Sequence, residues 1–173
     1  MAKHTSLRAR FLGFAGGHFA LSALGATVAF ALFGAAESGT GLLGALVALL
    51  MLLYVPAGAF TAFLMEWERP TAREWLRAAA LTGGIACLWG FGGFALCLTE
   101  ATSLLGFCLL MSTAFLASPS FCLMFLVVLQ VLDLPGLTWA PTWFLGILAA
   151  ALLPPVLFFL GALLTRQGKG EAS

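Results

Sequence analysis

His18 is the residue whose place in the chain most clearly suggests chemistry. It lies in the apolar run GFAGGHFALSALG, about two helical turns after Arg10. An ionisable side chain inside a membrane span is costly, so such a residue is a functional candidate by default. Its imidazole could bind a ligand, relay a proton or hydrogen-bond a carbonyl of a neighbouring helix. The sequence therefore leaves two roles open for His18, a ligand contact and a structural hydrogen bond.

Trp89 and Ser112 are the other candidates for ligand contact. Trp89 projects from the glycine-rich stretch LTGGIACLWGFGGFALCL, where it could wall a cavity or fill space in a tightly packed helix. Ser112 is one of a few polar side chains at mid-depth in the apolar runs. The others are His18, Ser22, Thr27, Thr61, Thr82 and Thr113. So small a set favours an apolar ligand or none.

Glycines at short spacings predict close contacts between helices. Gly13 and Gly17 form a G-x-x-x-G pair just before His18, and Gly90 and Gly93 lie in the later glycine-rich run. Small residues at such spacings let the backbone of a second helix approach closely. We expect these four glycines to face other helices.

The sequence carries no motif for hydrolytic or metal-dependent chemistry. The four cysteines are scattered without a C-x-x-C pair, and neither H-E-x-x-H nor G-x-S-x-G occurs. No pair of carboxylates lies inside an apolar run. We predict that the protein is not an enzyme and holds no metal or cofactor.

The composition is that of a chain embedded in a lipid bilayer. Of its 173 residues, 62% are hydrophobic and only 9% are charged, whereas a soluble domain has about 25% charged residues. Apolar runs of about 20 residues recur, and each is long enough to cross the hydrocarbon core as a helix. We predict an all-α, polytopic transmembrane bundle in one membrane domain. With a net charge of +1 and no dense basic tract, nucleic acid is not an expected partner.

Six hydrophobic segments account for most of the chain. The first is too long for the core of a cleavable signal peptide, which has about 7–15 residues, so we expect it to be retained. Thr71 and Glu74 have the spacing of a capping box, which predicts that a helix begins near Ala72. The predicted spans are 11–33, 42–65, 75–98, 104–117, 120–132 and 143–164.

Prolines mark two expected hinges. Ser118-Pro119-Ser120 divides the fourth span from the fifth, and Ser before Pro is typical of a helix start. Pro154-Pro155 stands at the centre of the last span, which we expect it to interrupt. Short and proline-interrupted segments are the best sequence indication of a transport site.

The distribution of charge predicts that both termini are cytoplasmic. Every Lys and Arg lies in the N-terminal tail, in the 66–77 loop or in the C-terminal tail, while the other connections carry only acids. Positively charged segments remain in the cytoplasm. The C-terminal tail can lie on the same side as the other two positive segments only if the run 104–132 enters the membrane and returns to the side from which it entered. Two short spans and a re-entrant hairpin both satisfy it, and one long kinked helix is the alternative that does not.

Two functions are compatible with these features. The first is a solute-binding or transport-related subunit of the plasma or inner membrane. The size and six-segment layout resemble those of the substrate-binding subunits of energy-coupling-factor vitamin transporters, a likeness of architecture alone. The second is a non-transporting scaffold or assembly protein. In either case the 66–77 loop is a candidate docking surface for a protein partner.

Overall fold

The structure is a computed structural model that describes residues 7–35, 40–65, 71–126 and 140–170. Its described residues form α-helices and contain no strand, so the predicted all-α class is confirmed. Part of the 66–77 loop and the end of the predicted fifth span lie outside the described residues. The helices are α1 (Leu7–Ala35), α2 (Thr40–Leu52), α3 (Tyr54–Leu64), α4 (Ala72–Cys97), α5 (Ser103–Ser112), α6 (Ala114–Ala117), α7 (Ser120–Leu126) and α8 (Ala140–Gly170).

Helical length and hydropathy are those of a multi-pass membrane protein. Five stretches among the described residues are long and apolar enough to cross a bilayer. This number agrees with a multi-pass arrangement and identifies the apolar outer surface as the one that meets lipid. The five stretches are Phe11–Ala31, Val47–Leu64, Ala72–Cys97, Glu100–Ala117 and Pro141–Thr165.

The capping box predicted at the start of α4 is confirmed. The backbone N–H of Thr71 donates to Glu74 Oε2 at 2.6 Å, and the N–H of Glu74 donates to Thr71 Oγ1 at 3.3 Å. The two residues thus satisfy donors that the first turn of a helix leaves free. They fix the helix start at Ala72.

The second hydrophobic segment is two helices rather than one. α2 ends at Leu52 and α3 begins at Tyr54. Pro56 has no N–H with which to bond the carbonyl of Leu52, which favours a break in the helix at this point. The break places Tyr54 at the start of α3, with its side chain fully buried.

The arm formed by α5 and α6 runs antiparallel to α4 and stops at its middle. A methyl group added to Gly93 would lie 2.6 Å from the nitrogen of Leu110, and one added to Gly90 would lie 3.4 Å from Thr113 Cγ2. Higher residue numbers in the arm therefore face lower residue numbers in α4, so the two run antiparallel. Ser120, just after the arm, bonds the carbonyl of Ala150, and the next residue, Ala151, lies beside Gly83, about halfway along α4.

After Ser118-Pro119, α7 returns toward the end where the arm began. Ser120 bonds the carbonyl of Ala150, and the ring of Phe125 lies 5.2 Å from that of Trp143, so α7 runs antiparallel to α8. Trp143 in turn lies 6.5 Å from Phe94, near the end of α4. The segment from Glu100 to Leu126 consequently forms a helical hairpin with antiparallel arms, as both two short spans and a re-entrant hairpin require.

The last helix corrects one expectation. α8 continues from Ala140 to Gly170 through Pro154 and Pro155, both buried, and the predicted interruption of this helix is wrong. Internal proline is tolerated in membrane helices when neighbouring groups satisfy the carbonyls that it frees. In α8, the carbonyl of Ala150 accepts a hydrogen bond from Ser120 of the hairpin tip, the link Ser118-Pro119-Ser120.

Candidate functional site

The hairpin tip is tied to α1 and α3 by buried hydroxyl groups. The Tyr54 hydroxyl donates to the backbone carbonyl of Ser118, in the non-helical link between α6 and α7. The Ser22 hydroxyl lies 2.5 Å from Tyr54 Oη and 3.3 Å from the carbonyl of Leu116. Because the Tyr54 hydroxyl donates to the carbonyl of Ser118, the Ser22 hydroxyl donates to Tyr54 Oη. The more distant carbonyl of Leu116 is its second acceptor. An open backbone inside a membrane protein requires partners of this kind.

A third hydroxyl group joins the hairpin tip to α8. Pro154 lacks the N–H that would bond the carbonyl of Ala150 four residues earlier. The Ser120 hydroxyl lies 2.6 Å from that carbonyl oxygen and also 2.6 Å from the carbonyl oxygen of Ala117. Ser120 therefore occupies the position of the donor that Pro154 lacks.

These contacts lie at mid-depth in the bundle. Ser22, Tyr54 and Ala150 each fall in the central part of a stretch long enough to cross a bilayer. α1 makes room for the tip at Gly25, where an added methyl group would lie 3.4 Å from Ser118 Oγ and 3.7 Å from Pro119 Cδ. The chain thus places its non-helical backbone where neighbouring helices shield it from lipid.

His18 lies one helical turn from Ser22 and is fully buried. Among the described residues, neither ring nitrogen has a hydrogen-bond partner. The expected bond to a carbonyl of a neighbouring helix is therefore not formed. Most buried polar groups in proteins are hydrogen-bonded, so an unpartnered imidazole requires an explanation.

Aromatic rings surround the His18 imidazole. The ring of Phe14 stacks at 6.5 Å, and those of Tyr54 and Phe158 approach edge-on at 5.5 and 6.1 Å between centroids. Trp75 extends the cluster, 5.4 Å from Phe14. We call these residues, His18 with Phe14, Tyr54 and Phe158, the histidine cluster.

Trp89 and Ser112 lie apart from the histidine cluster. The Trp89 side chain is 46% exposed on the outer surface of α4, and its Nε1–H donates to Ser112 Oγ at 2.8 Å. The Ser112 hydroxyl in turn donates a hydrogen bond to the carbonyl oxygen of Leu109 at 2.7 Å. Trp89 and Ser112, which the sequence suggested as ligand contacts together with His18, are thus hydrogen-bonded to each other.

The four glycines singled out in the sequence have close neighbours on other helices. An added methyl group would lie 2.9 Å from Met65 Cε at Gly13 and 3.3 Å from Phe158 Cζ at Gly17. At Gly90 and Gly93 the nearest atoms would be Ile147 Cγ2 at 2.7 Å and the nitrogen of Leu110 at 2.6 Å.

Sequence reasoning missed the closest backbone approach among these helices. A methyl group on Gly58 would meet the carbonyl oxygen of Phe158, and one on Gly161 would meet that of Val55. The two glycines therefore face the backbone of the opposing helix across the α3–α8 contact. The available signal was a lone glycine beside alanine in each run, which is weaker than a G-x-x-x-G pair.

No charged side chain whose surroundings the structure describes belongs to the histidine cluster. Those whose surroundings the structure describes lie in the first two turns of α4 or in the turn after it, and none is buried. Within the described residues, no group of three or more His, Cys, Asp and Glu side chains could hold a metal ion. The charged residues concerned are Arg73, Glu74, Arg77 and Glu100.

Comparison of the chain with protein-family models, curated proteins and solved structures finds no match. The fold alone therefore defines the class of the protein, an all-α bundle with helices long and apolar enough to cross a membrane.

Proposed function

We propose that the protein is a solute-binding, transport-related membrane subunit whose site lies at mid-depth around the histidine cluster. Transport sites are typically built near the middle of the bilayer from discontinuous helices. Here the α2–α3 break, the hairpin tip and the proline pair of α8 are connected at that depth through Tyr54, Ser118, Ser120 and Ala150.

The observation that carries the proposal is the unpartnered imidazole of His18. The neighbouring hydroxyl groups of Ser22 and Tyr54 are already committed to each other and to the hairpin tip. Among the described residues, His18 has neither ring nitrogen hydrogen-bonded, so it keeps both a donor and an acceptor available, because neutral imidazole has one of each. A ligand that supplied the missing partner would remove the cost of burying these two nitrogens.

A scaffold or assembly protein is the second candidate. The close approach at Gly58 and Gly161 favours it, since a tight α3–α8 contact stabilises a bundle whether or not the bundle transports anything. On this hypothesis the hairpin tip serves only to satisfy backbone groups. His18 would then be dispensable for binding any small molecule.

The two candidates are separated by what the purified protein retains. We expect native mass spectrometry of the wild-type protein to detect a bound small molecule, and the His18→Leu variant to lose it. Leucine fills the same apolar surroundings but offers neither a donor nor an acceptor, so only the ligand contact is removed.

The control for this experiment is Thr27→Ala on the same helix. Thr27 is exposed and its hydroxyl bonds the carbonyl of Ala23 in its own helix at 2.9 Å, so its loss should leave ligand retention unchanged. Equal retention by wild type and His18→Leu, or a folded wild type that retains nothing, would favour the scaffold.

A further inference from the structure

We infer that the ligand of the histidine cluster is an uncharged, mainly apolar molecule carrying one hydroxyl group. This inference rests on the proposed function and specifies the chemical class of its ligand. It follows from three features of the cluster: its surroundings are rings, it contains none of the charged side chains whose surroundings the structure describes, and His18 has no hydrogen-bond partner among the described residues.

The lining excludes a charged ligand. Moving an ion into apolar surroundings without an opposite charge is prohibitively costly. The charged side chains whose surroundings are described lie at the ends of α4, whereas His18, Phe14, Tyr54 and Phe158 are all fully buried. An ammonium group at His18 would have no counter-ion among these residues, and a carboxylate would have one only if the imidazole itself took up a proton in its apolar surroundings, which is costly.

The same lining favours an apolar body for the ligand. A molecule that enters between the rings replaces one set of apolar contacts with another, so little hydrophobic free energy is lost. Ring faces and edges also suit an aromatic body, which packs against Phe and Tyr in offset or edge-on geometry. The gain on binding is then the hydrogen bond that His18 lacks in the structure.

The imidazole favours a hydroxyl group over other polar groups. A hydroxyl group can donate to the unprotonated ring nitrogen or accept from the protonated one, so it matches either tautomer. A carbonyl can only accept, and a polar group placed away from the imidazole would remain unpaired, because Ser22 and Tyr54 bond each other and the hairpin tip. One hydroxyl group on an apolar molecule is the closest complement.

Phenol, toluene and benzoate test this inference as probes of nearly equal size. The purified full-length protein would carry His4→Gln, which leaves His18 as its single histidine, and 15N-labelled histidine would report on the imidazole by NMR. We expect phenol to shift the His18 ring resonances and to bind up to about tenfold more tightly than toluene, since one net hydrogen bond is worth up to that factor. Benzoate should leave the resonances unchanged.

Two variants assign the preference to His18. In His18→Leu, thermal unfolding measured with each probe should show no advantage of phenol over toluene. His18→Gln retains a donor and an acceptor and should keep that advantage, which guards against a fold defect in the leucine variant. Thr27→Ala should behave as the wild type does.

The outcomes distinguish this inference from the function on which it rests. If toluene or benzoate perturbs His18 as strongly as phenol, the ligand class is wrong while the site stands. If no probe perturbs His18 but His18→Leu loses the copurifying molecule, the class is again overturned and the proposed function holds. If no probe acts and His18→Leu loses nothing, both are overturned.

Discussion

At the scale of single residues, the mid-depth region contains two kinds of polar side chain. Ser22, Tyr54 and Ser120 are committed to backbone carbonyls or to each other, and they hold the hairpin in place. His18 is equally buried but has no partner among the described residues. The hydrogen bonds of Ser22, Tyr54 and Ser120 stabilise the fold, whereas burial of the unpaired His18 nitrogens lowers the free energy of unfolding.

We predict that His18→Leu does not destabilise the protein. Removing two unpaired buried nitrogens relieves a desolvation cost of about 1–3 kcal/mol, and leucine suits the aromatic surroundings. Ser22→Ala, in contrast, should lose about 0.6–1.7 kcal/mol, the range for interhelical hydrogen bonds in membranes. Reversible unfolding in mixed micelles measures both, and a large loss on His18→Leu would indicate a structural bond after all.

The Ser120 hydroxyl should matter only while Pro154 is present. Ser120→Ala leaves the Ala150 carbonyl without a donor and should cost about 0.6–1.7 kcal/mol in the same assay. Pro154→Ala restores the intrahelical N–H, so Ser120→Ala should cost clearly less in that background. Equal costs in the two backgrounds would contradict this pairing of hydroxyl and freed carbonyl.

At the scale of helices, close contact is concentrated where glycine faces backbone. Gly58 and Gly161 allow α3 and α8 to meet at each other's carbonyl oxygens, and Gly93 and Gly106 allow a similarly close backbone contact between α4 and α5. These pairings align the helices that support the hairpin. They also leave no space for even one methyl group.

We predict that Gly161→Ala destabilises the protein by about 1–3 kcal/mol, the usual cost of overpacking. The added methyl group would meet the carbonyl oxygen of Val55, and backbone cannot turn aside as a flexible side chain can. Gly84→Ala is the matched control, because no atom of another element lies within 4 Å of its added methyl group. Similar thermal stability of the two variants would argue against the α3–α8 contact.

At the scale of the whole molecule, the hairpin determines the side on which the chain ends. Glu100 and the return arm lie at one end of α4, and α8 runs from that end to the other, where α4 begins. The start of α4 and the end of α8 therefore share one side. The positive charges of both segments predict that this side is cytoplasmic.

Cysteine labelling in intact cells tests this orientation. In a cysteine-free background, we expect Arg73→Cys and Lys169→Cys to react with an impermeant maleimide only after permeabilisation. Glu100→Cys, at the opposite end of α4, should react from outside and serves as the internal control. Labelling of position 169 from outside intact cells would mean that the run 104–132 crosses the membrane once.

Much of the fold was determined by sequence alone because its causes are local. Apolar length and scarce charge specify membrane helices, the Thr71–Glu74 spacing sets the start of α4, and Ser118-Pro119 favours the end of one helix and the start of the next. Each of these effects acts within a turn or two of the chain. His18 could be singled out for the same reason, as an ionisable group in an apolar run.

Tertiary structure alone decided where the chain goes after each break and which groups meet there. Pro154 frees a carbonyl in any fold, but only the returning hairpin brings Ser120 to it, 30 residues away in sequence. The Trp89–Ser112 bond, the Gly58–Gly161 contact and the missing partner of His18 are likewise properties of neighbouring helices. Composition and periodicity record how apolar a segment is, whereas the partner of a buried polar group depends on helices that are distant along the chain.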